Sequence, residues 1–169
     1  MIDQEKIHNQ CFSDDPKERM LALDQLKFIS SMPDKQQAWN DLHRLTTDED
    51  RDIRFWASSA LGFALSQIPD KQQAWNDLHR LTTDENSNVR SLASSALRFA
   101  FSHVPDKQQA WNDLVRLTTD ENSDVRPWTA GSLGSAFSHV PDKFKQQAWN
   151  DSFVPRTLSA ERPQSDLQY

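Results

Sequence analysis

Glycine is scarce in this sequence, and long apolar runs are missing. Only three glycines occur in 169 residues, whereas average usage would give about twelve. Because tight turns and β-hairpins use glycine for positive φ, this scarcity argues against an all-β sandwich or barrel. The glycines, at 62, 131 and 134, also form no phosphate-binding cluster. No apolar run approaches the ~18 residues of a membrane span, and the N-terminus lacks the apolar segment of a signal peptide.

Cysteine and positive charge are also in short supply. Cys11 is the only cysteine, so it cannot form an intrachain disulfide and fits a reducing compartment. The formal net charge is −6, whereas proteins that follow a nucleic-acid backbone normally carry a basic face. These features predict a soluble, cytoplasmic protein and argue against a membrane or a nucleic acid as its partner.

A repeat of 36 residues fills most of the chain. The string PDKQQAWNDL occurs three times at this interval, and a disturbed fourth copy begins at Pro141. Adjacent full copies agree at 26 of 36 positions, so the repeat dominates any reading of the fold. The predicted units are a divergent N-terminal helix pair (1–32), three full repeats (33–68, 69–104 and 105–140), an incomplete terminal helix (141–152) and a disordered tail (153–169).

Each repeat contains two helical patterns. The first opens with the capping-box spacing of Asp34 and Gln37, and the second has an apolar stripe of about four turns. In the first full repeat the apolar positions are Ala38, Trp39, Leu42 and Leu45, followed by Ile53, Trp56, Ala57, Ala60, Leu61, Ala64, Leu65 and Ile68. Residues suited to N-caps precede the second helices: Asp15, Asp50, Asn86 and Asn122. The N-terminal pair is predicted around 3–11 and 16–31. Because neither helix buries its stripe alone, we expect stacked helix pairs that share one core.

The second halves also carry a sequence motif. The segments DEDRDIRFWASSALG, DENSNVRSLASSALR and DENSDVRPWTAGSLG resemble the D-x-x-x-x-V-R-x-x-A-x-x-A-L-G core of HEAT repeats. They look most like the PBS-lyase-type HEAT-like repeats that archaeal and bacterial proteins carry in tandem. The resemblance covers roughly residues 12–151. It implies an all-α fold, namely an α-solenoid of the HEAT/armadillo kind in which antiparallel helix pairs stack into a right-handed superhelix.

The resemblance further implies a structural ladder of hydrogen bonds between neighbouring repeats. A planar guanidinium that binds a carboxylate through two nitrogens suits such a role. The ladder residues would be Asp48, Asp84 and Asp120 with Arg54, Arg90 and Arg126. In the N-terminal pair Arg19 is present, but Ser13 stands six residues before it, which leaves open whether the ladder reaches that pair.

The residues capable of chemistry form no enzyme pattern. Trp39 and its repeat equivalents share a helical face with leucines, which predicts a core position. His43 and His79 repeat, but copies ~10 Å apart do not converge on one metal ion, so we expect solvated side chains. The His-Glu dipeptides of iron-dependent HEAT-repeat hydroxylases are absent. Cys11 is predicted to be a structural thiol. We therefore predict a non-enzymatic protein with no catalytic residue, metal ligand or cofactor.

The side of the second helices opposite the core varies between repeats, whereas the first helices hardly change. This pattern favours partner recognition, and small residues there would leave a shallow groove for a helix or an extended peptide. Neutral drift on a solvated face is the alternative. Gly62, Gly131 and Gly134 also fall on this side. The predicted contacts to another protein or peptide are Phe55, Ser59, Ser91, Ser95, Arg98 and Pro127.

Two other functions stay open at this stage. The likeness to PBS-lyase-type repeats suggests a lyase-like or chaperone-like role on a tetrapyrrole such as a bilin. A HEAT-like repair protein that binds DNA would need a basic inner face, to which only Arg98 clearly contributes. Both inferences rest on fold analogy. In addition, the incomplete helix at 141–152 would leave an apolar edge that is open to self-association or to a partner.

Overall fold

A computed structural model describes residues 2–140 and residue 142, and this part of the chain is helical with no strand. The α-helices are α1 (Gln4–Cys11), α2 (Pro16–Leu26), α3 (Lys35–Leu45), α4 (Arg51–Ala64), α5 (Lys71–Leu81), α6 (Ser87–Ala100), α7 (Lys107–Leu117) and α8 (Val125–Ala136). Short 3₁₀ turns follow three of them, at Ile29–Ser31, Leu65–Gln67 and Phe137–His139. The predicted terminal helix and tail lie outside the described residues, apart from Asp142.

The helices form two layers. We call α1, α3, α5 and α7 helices A, and α2, α4, α6 and α8 helices B. Consecutive helices B pack closely against one another, whereas α3, α5 and α7 contact each other less. The closer spacing places helices B on the inner side of the stack. The all-α solenoid that the sequence predicts is therefore confirmed.

The core lies between the two layers. Trp39, Trp75 and Trp111 are buried there, as predicted, while Trp149 lies outside the described residues. The stripe of α4 is buried too, with one exception. Trp56 was predicted as core but is 48% exposed. Its position falls at the margin of the stripe, and its indole lines the cleft where α2 meets α4.

The helix starts agree with the predicted caps in three of four cases. Side chains of Asp15, Asp50 and Asn86 accept hydrogen bonds from backbone N–H groups in the first turn. Asn122 is confirmed only in part: its side chain accepts from the Asp124 N–H at 2.8 Å, as Asn86 does from Asn88, but α8 begins only at Val125. Pro127 has no N–H to donate to the carbonyl of Ser123, so the first turn that α6 possesses cannot form in the same way.

Two smaller predictions were also incomplete. Helix α2 ends at Leu26 rather than near residue 31, and a 3₁₀ turn completes the segment. Only half of the capping box forms in α3, because Asp34 accepts from the Gln37 N–H at 2.9 Å while the Gln37 side chain donates to Asp41 at 3.0 Å.

Candidate functional site

An arginine near the start of helices α2, α4 and α6 reaches the A–B loop of the next repeat. Arg54 donates to both carboxylate oxygens of Asp84, from Nε at 2.7 Å and from Nη2 at 3.0 Å. Arg90 does the same to Asp120, at 2.8 Å for both bonds. Each Nη1 also donates to a backbone carbonyl six residues earlier, which is that of Asp48 for Arg54. One guanidinium thus ties the loop of its own repeat to the loop of the next.

The same contact includes the N-terminal pair. Arg19 donates from Nη2 to Asp48 Oδ1 at 3.1 Å, and its Nε lies 3.0 Å from Oδ2. Its Nη1 donates to the carbonyl of Ser13 at 2.8 Å. Within its own repeat the arginine uses a backbone carbonyl, so serine in place of aspartate does not interrupt the row. At the other end, Arg126 is exposed and donates to the Asp120 carbonyl at 2.8 Å.

These pairs favour the charged forms of both partners. Burial acts to raise the pKa of the Asp84 carboxyl, but hydrogen bonds from Arg54 and the Asn86 N–H outweigh it and hold that pKa below its usual value. For Asp120 the hydrogen bond from Arg90 is the main cause, and its pKa is also lowered. The carboxylates in turn raise the pKa of both arginines.

A second row of polar contacts joins consecutive helices A. The histidine Nδ1 atoms lie 2.5–2.8 Å from aspartate carboxylates one repeat further on, and the pairs are His8–Asp41, His43–Asp77 and His79–Asp113. The aspartates are buried, while the imidazoles are about 40% exposed. The prediction of freely solvated histidines was therefore wrong. The partners are 33 or 34 residues apart, so only the stacking of repeats reveals them.

Large apolar side chains are exposed on the other layer. We call the exposed side of helices B the helix-B face. Its large apolar residues are between 48% and 63% exposed, and they are Leu21, Phe28, Trp56, Phe63, Phe99 and Trp128. Such side chains scattered singly need no explanation, but a contiguous set marks an interaction surface.

The arginine row sets the register between repeats and aligns these side chains. Arg19 and Arg54 make equivalent contacts, so Leu21 corresponds to Trp56, and Phe28 to Phe63. Two rows result, seven residues apart in sequence; both occur on α4 and α6, Phe28 lies two residues beyond the end of α2, and Ser135 stands at the Phe-row position of α8. The Trp row consists of Leu21, Trp56, the half-buried Leu92, and Trp128, and the Phe row consists of Phe28, Phe63 and Phe99.

Within the rows, aromatic rings are in contact between α4 and α6, and the rows leave space between them where α2 meets α4. The rings of Phe63 and Phe99 stack across α4 and α6, with centroids 4.9 Å apart and an interplanar angle of 27°. Small side chains such as Ser59 and Ala60 lie between the rows. Where α2 meets α4, a cleft of about 350 Å³ is bounded by Leu21, Trp56 and Phe63.

The predicted contact residues occupy different depths on this face. Ser59 lines the cleft, and Phe55 is half-buried against the core with its ring edge-on to Trp56, centroids 5.0 Å apart. Ser91 and Ser95 are half-buried, whereas Arg98 and Pro127 are exposed. The Arg98 guanidinium lies 5.8 Å from the centre of the Phe99 ring.

The sequence interpretation misplaced one residue on this face and missed the aromatic rows. Gly62 is buried between α4 and α6, where an added Cβ would lie 2.7 Å from the Ala96 Cβ. It therefore serves close helix packing instead of the face. The signal for the rows was present, since Phe63 and Phe99 recur at one repeat position and Trp56 and Trp128 at another.

Outside the rows, the described residues include a thiol and the usual metal-ligating side chains. Cys11 is fully buried, and burial together with the nearby Asp41 charge raises the pKa of its thiol to about 12, so it stays protonated at neutral pH. Across 2–140 and 142, no three His, Cys, Asp or Glu side chains are grouped to hold a metal ion. Every helix in this range is too short or too polar to cross a lipid bilayer.

Comparison with known proteins supports the architecture. Two engineered proteins with crystal structures from the Northeast Structural Genomics Consortium are similar. One is 25% identical with a TM-score of 0.63, covering 90% of this chain and 70% of that one. The other is 26% identical with a TM-score of 0.61, covering 90% and 68%. Computationally designed armadillo repeat proteins for modular peptide recognition are 19% identical with a TM-score of 0.57, covering 86% and 69%.

No curated protein matches the chain in sequence. The family model for HEAT repeats, however, matches residues 43–134, which is more than half of the chain. This range contains the repeated Asp/Arg motif and the packed helix pairs described above. Repeat sequence, layered architecture and family model agree, and the chain belongs to the HEAT-repeat family.

Proposed function

We propose that this protein is a non-enzymatic binding module that holds a peptide or a segment of another protein on its helix-B face. The observation that carries the proposal is the pair of exposed apolar rows. Tryptophan and phenylalanine are enriched in protein interfaces, and tryptophan is prominent among residues that dominate binding energy. Covering Trp56, Phe63, Phe99 and Trp128 would remove a large apolar area from water.

The scaffold beneath the rows supports this role. Arg54 and Arg90 fix consecutive helices B through paired hydrogen bonds, and the histidine–aspartate contacts fix helices A. A surface that is rigid before binding loses less conformational freedom when a partner arrives. Among the predicted contacts, Ser59 and Arg98 would supply polar interactions beside the rows, and Phe55 would support the indole of Trp56.

The armadillo repeat proteins that resemble this chain were designed for modular peptide recognition. That likeness concerns the fold, and fold does not determine function. The proposal therefore rests on the exposed rows of this chain. The tetrapyrrole and DNA-repair alternatives, the cytoplasmic location and self-association through the C-terminal edge stay predictions from the sequence.

A displayed library of random peptides tests the proposal. Peptides are selected on the full chain and measured against Trp56→Ser and against the control Phe12→Ser. Phe12 is 53% exposed but lies at the end of α1, away from the rows. We expect selected peptides to lose at least about tenfold in affinity with Trp56→Ser and less than about twofold with Phe12→Ser. Failure to select peptides, or equal loss in both variants, would refute the proposal.

A further inference from the structure

The cleft between α2 and α4 lies where the packing of helices B is looser than between α4 and α6. Where α4 meets α6, Gly62 allows so close an approach that an added Cβ would lie 2.7 Å from the Ala96 Cβ. Counted from the arginine of each helix, Lys27 and Ala60 stand at the equivalent positions where α2 meets α4. Lys27 is half-buried, and both residues line the cleft. A lysine in place of glycine therefore keeps these two helices apart, because its side chain occupies space that glycine leaves free.

The wall of the cleft is mainly apolar and partly aromatic. The side chains of Trp56 and Phe63 line it from α4, and those of Met20, Leu21 and Leu23 line it from α2. An apolar cavity of about 150 Å³ is enough to bind benzene, and the cleft measures about 350 Å³. Aromatic rings that pack edge-on or offset gain stabilisation beyond the burial of their area. The cleft therefore suits a molecule of two fused aromatic rings.

The polar groups of the cleft favour a neutral ligand. Lys27 and Asp24 both line it, but their charges offset each other, because the Lys27 ammonium donates to the Asp24 carboxylate at 2.5 Å. A charged ligand would lose hydration among the apolar side chains without gaining a free partner of opposite charge. The half-buried Ser59 also lines the cleft, and within the described part of the chain its hydroxyl has no hydrogen-bond partner. It is available to a hydroxyl or an amide of the ligand.

From this size and polarity we infer that the cleft between α2 and α4 is a binding site for a small neutral aromatic molecule with one hydrogen-bonding group. The rings of the ligand lie against Trp56 and Phe63, and its hydroxyl or amide pairs with Ser59. The site goes beyond the proposed function, because its ligand is a free small molecule and not a peptide. Trp56 contributes to both, so the small-molecule site is tested through other residues.

Three small molecules of similar size test the chemical class on the full chain. Naphthol is neutral and aromatic, naphthoate is aromatic but charged, and decahydronaphthol is neutral but saturated. Calorimetric titration gives their affinities. We expect naphthol to bind with a dissociation constant below about 1 mM. It should bind at least about tenfold more tightly than naphthoate and at least about threefold more tightly than decahydronaphthol.

Variants of the chain locate the binding. Ser59→Leu fills part of the cleft and should weaken naphthol at least about tenfold. The matched control Ser95→Leu makes the same change at the equivalent position of α6, outside the cleft, and should alter the affinity less than about twofold. Leu21→Ser removes part of the wall at a position that is 54% exposed, so the fold should survive, and should weaken naphthol at least about threefold. Circular dichroism checks the fold of each variant.

The outcomes separate this site from the proposed function. The inference is overturned if naphthol shows no saturable binding, or if naphthoate or decahydronaphthol binds equally well. It is also overturned if Ser95→Leu weakens naphthol as much as Ser59→Leu, or if neither Ser59→Leu nor Leu21→Ser weakens it. If library peptides still depend on Trp56 in those cases, the proposed function stands without the site. If naphthol binding depends on Ser59 but no peptide can be selected, the site stands without the proposed function.

Discussion

The central repeat and the last described repeat share most of their sequence but hold their helix B differently. Helix α6 has 14 residues, and Arg90 binds its own loop and the next one. Helix α8 has 12 residues, and Arg126 binds the loop of its own repeat. Among the described residues, none comes within 4 Å of a Cβ added at Gly134 in α8, whereas at Gly62 in α4 such a Cβ would meet α6. Between described neighbours, therefore, contacts from one repeat to the next hold helix B in place.

The largest difference in stability between the two repeats should appear when the equivalent arginines, Arg90 and Arg126, are each replaced by alanine. Arg90→Ala removes the two guanidinium donors of the Asp120 carboxylate, whose side chain is 6% exposed and keeps the Asn122 N–H, so we expect the free energy of unfolding to fall by about 3 kcal/mol. Arg126→Ala removes one hydrogen bond of an exposed side chain and should cost about 1 kcal/mol or less. Urea unfolding followed by circular dichroism measures both. Similar losses in the two variants would contradict the role given to neighbouring repeats.

Alanine at two glycines should have opposite effects. In Gly62→Ala the new methyl meets Ala96 Cβ at 2.7 Å and Cα at 2.8 Å, so α4 and α6 must separate. We expect a loss of about 1–3 kcal/mol in unfolding free energy. The methyl of Gly134→Ala meets none of the described residues within 4 Å, and the variant should gain up to about 1 kcal/mol from helix propensity. Thermal unfolding compares the variants, and a stabilised Gly62→Ala would show that the helices are not tightly packed there.

Replacing the proline of α8 should make it more like α6. The position equivalent to Pro127 in the central repeat is Ser91. Pro127→Ser therefore introduces the residue type found there and restores a backbone N–H in the first turn. The new N–H at position 127 can donate to the Ser123 carbonyl, and we expect a gain of about 1 kcal/mol with increased helical circular dichroism. The control Pro105→Ser alters a proline before α7 and should leave helicity unchanged. No gain in helicity for Pro127→Ser would mean that something other than the proline delays the start of α8.

Lowering the pH should reduce the free energy of unfolding by less than the substitutions above, because it weakens only the charged contacts between repeats. The pKa of Asp120 is lowered in the folded chain, so its pairing adds stability above the unfolded-state pKa, about 4, and loses it as pH falls through the lower folded value. We therefore expect the unfolding free energy of Asp120→Asn to depend less on pH between 5 and 2.5 than that of the parent chain. Parallel pH curves would contradict this assignment.

The sequence predicts the fold well because the repeat multiplies every signal. Apolar spacing places Trp39, Leu42 and Leu61 in the core, and cap residues place most helix starts. Contacts between repeats were harder to predict, because partners such as His43 and Asp77 are 34 residues apart in the sequence. The resemblance named arginine–aspartate pairs, but it did not show that Arg19 could use a backbone carbonyl.

The candidate site was predicted less well than the fold. The predicted contacts lie on the same helices as the exposed aromatic rows, but variation between repeats pointed to Phe55 and Ser91, which are half-buried. Trp56 was placed in the core because helical periodicity does not define where a stripe ends. The margin depends on how far the neighbouring helices reach, and that is a property of the packed stack.

The tryptophans allow the most direct test of the central claim, binding on the helix-B face. Trp39, Trp75 and Trp111 are buried in helices A, and Trp56 and Trp128 are exposed on helices B. Indole N–H signals in nitrogen–proton NMR spectra are followed while a peptide selected from the displayed library is added. Our account predicts that the signals of Trp56 and Trp128 shift in proportion to occupancy, while those of the three buried tryptophans stay nearly fixed. Shifts confined to the helices A tryptophans at saturating peptide would contradict it.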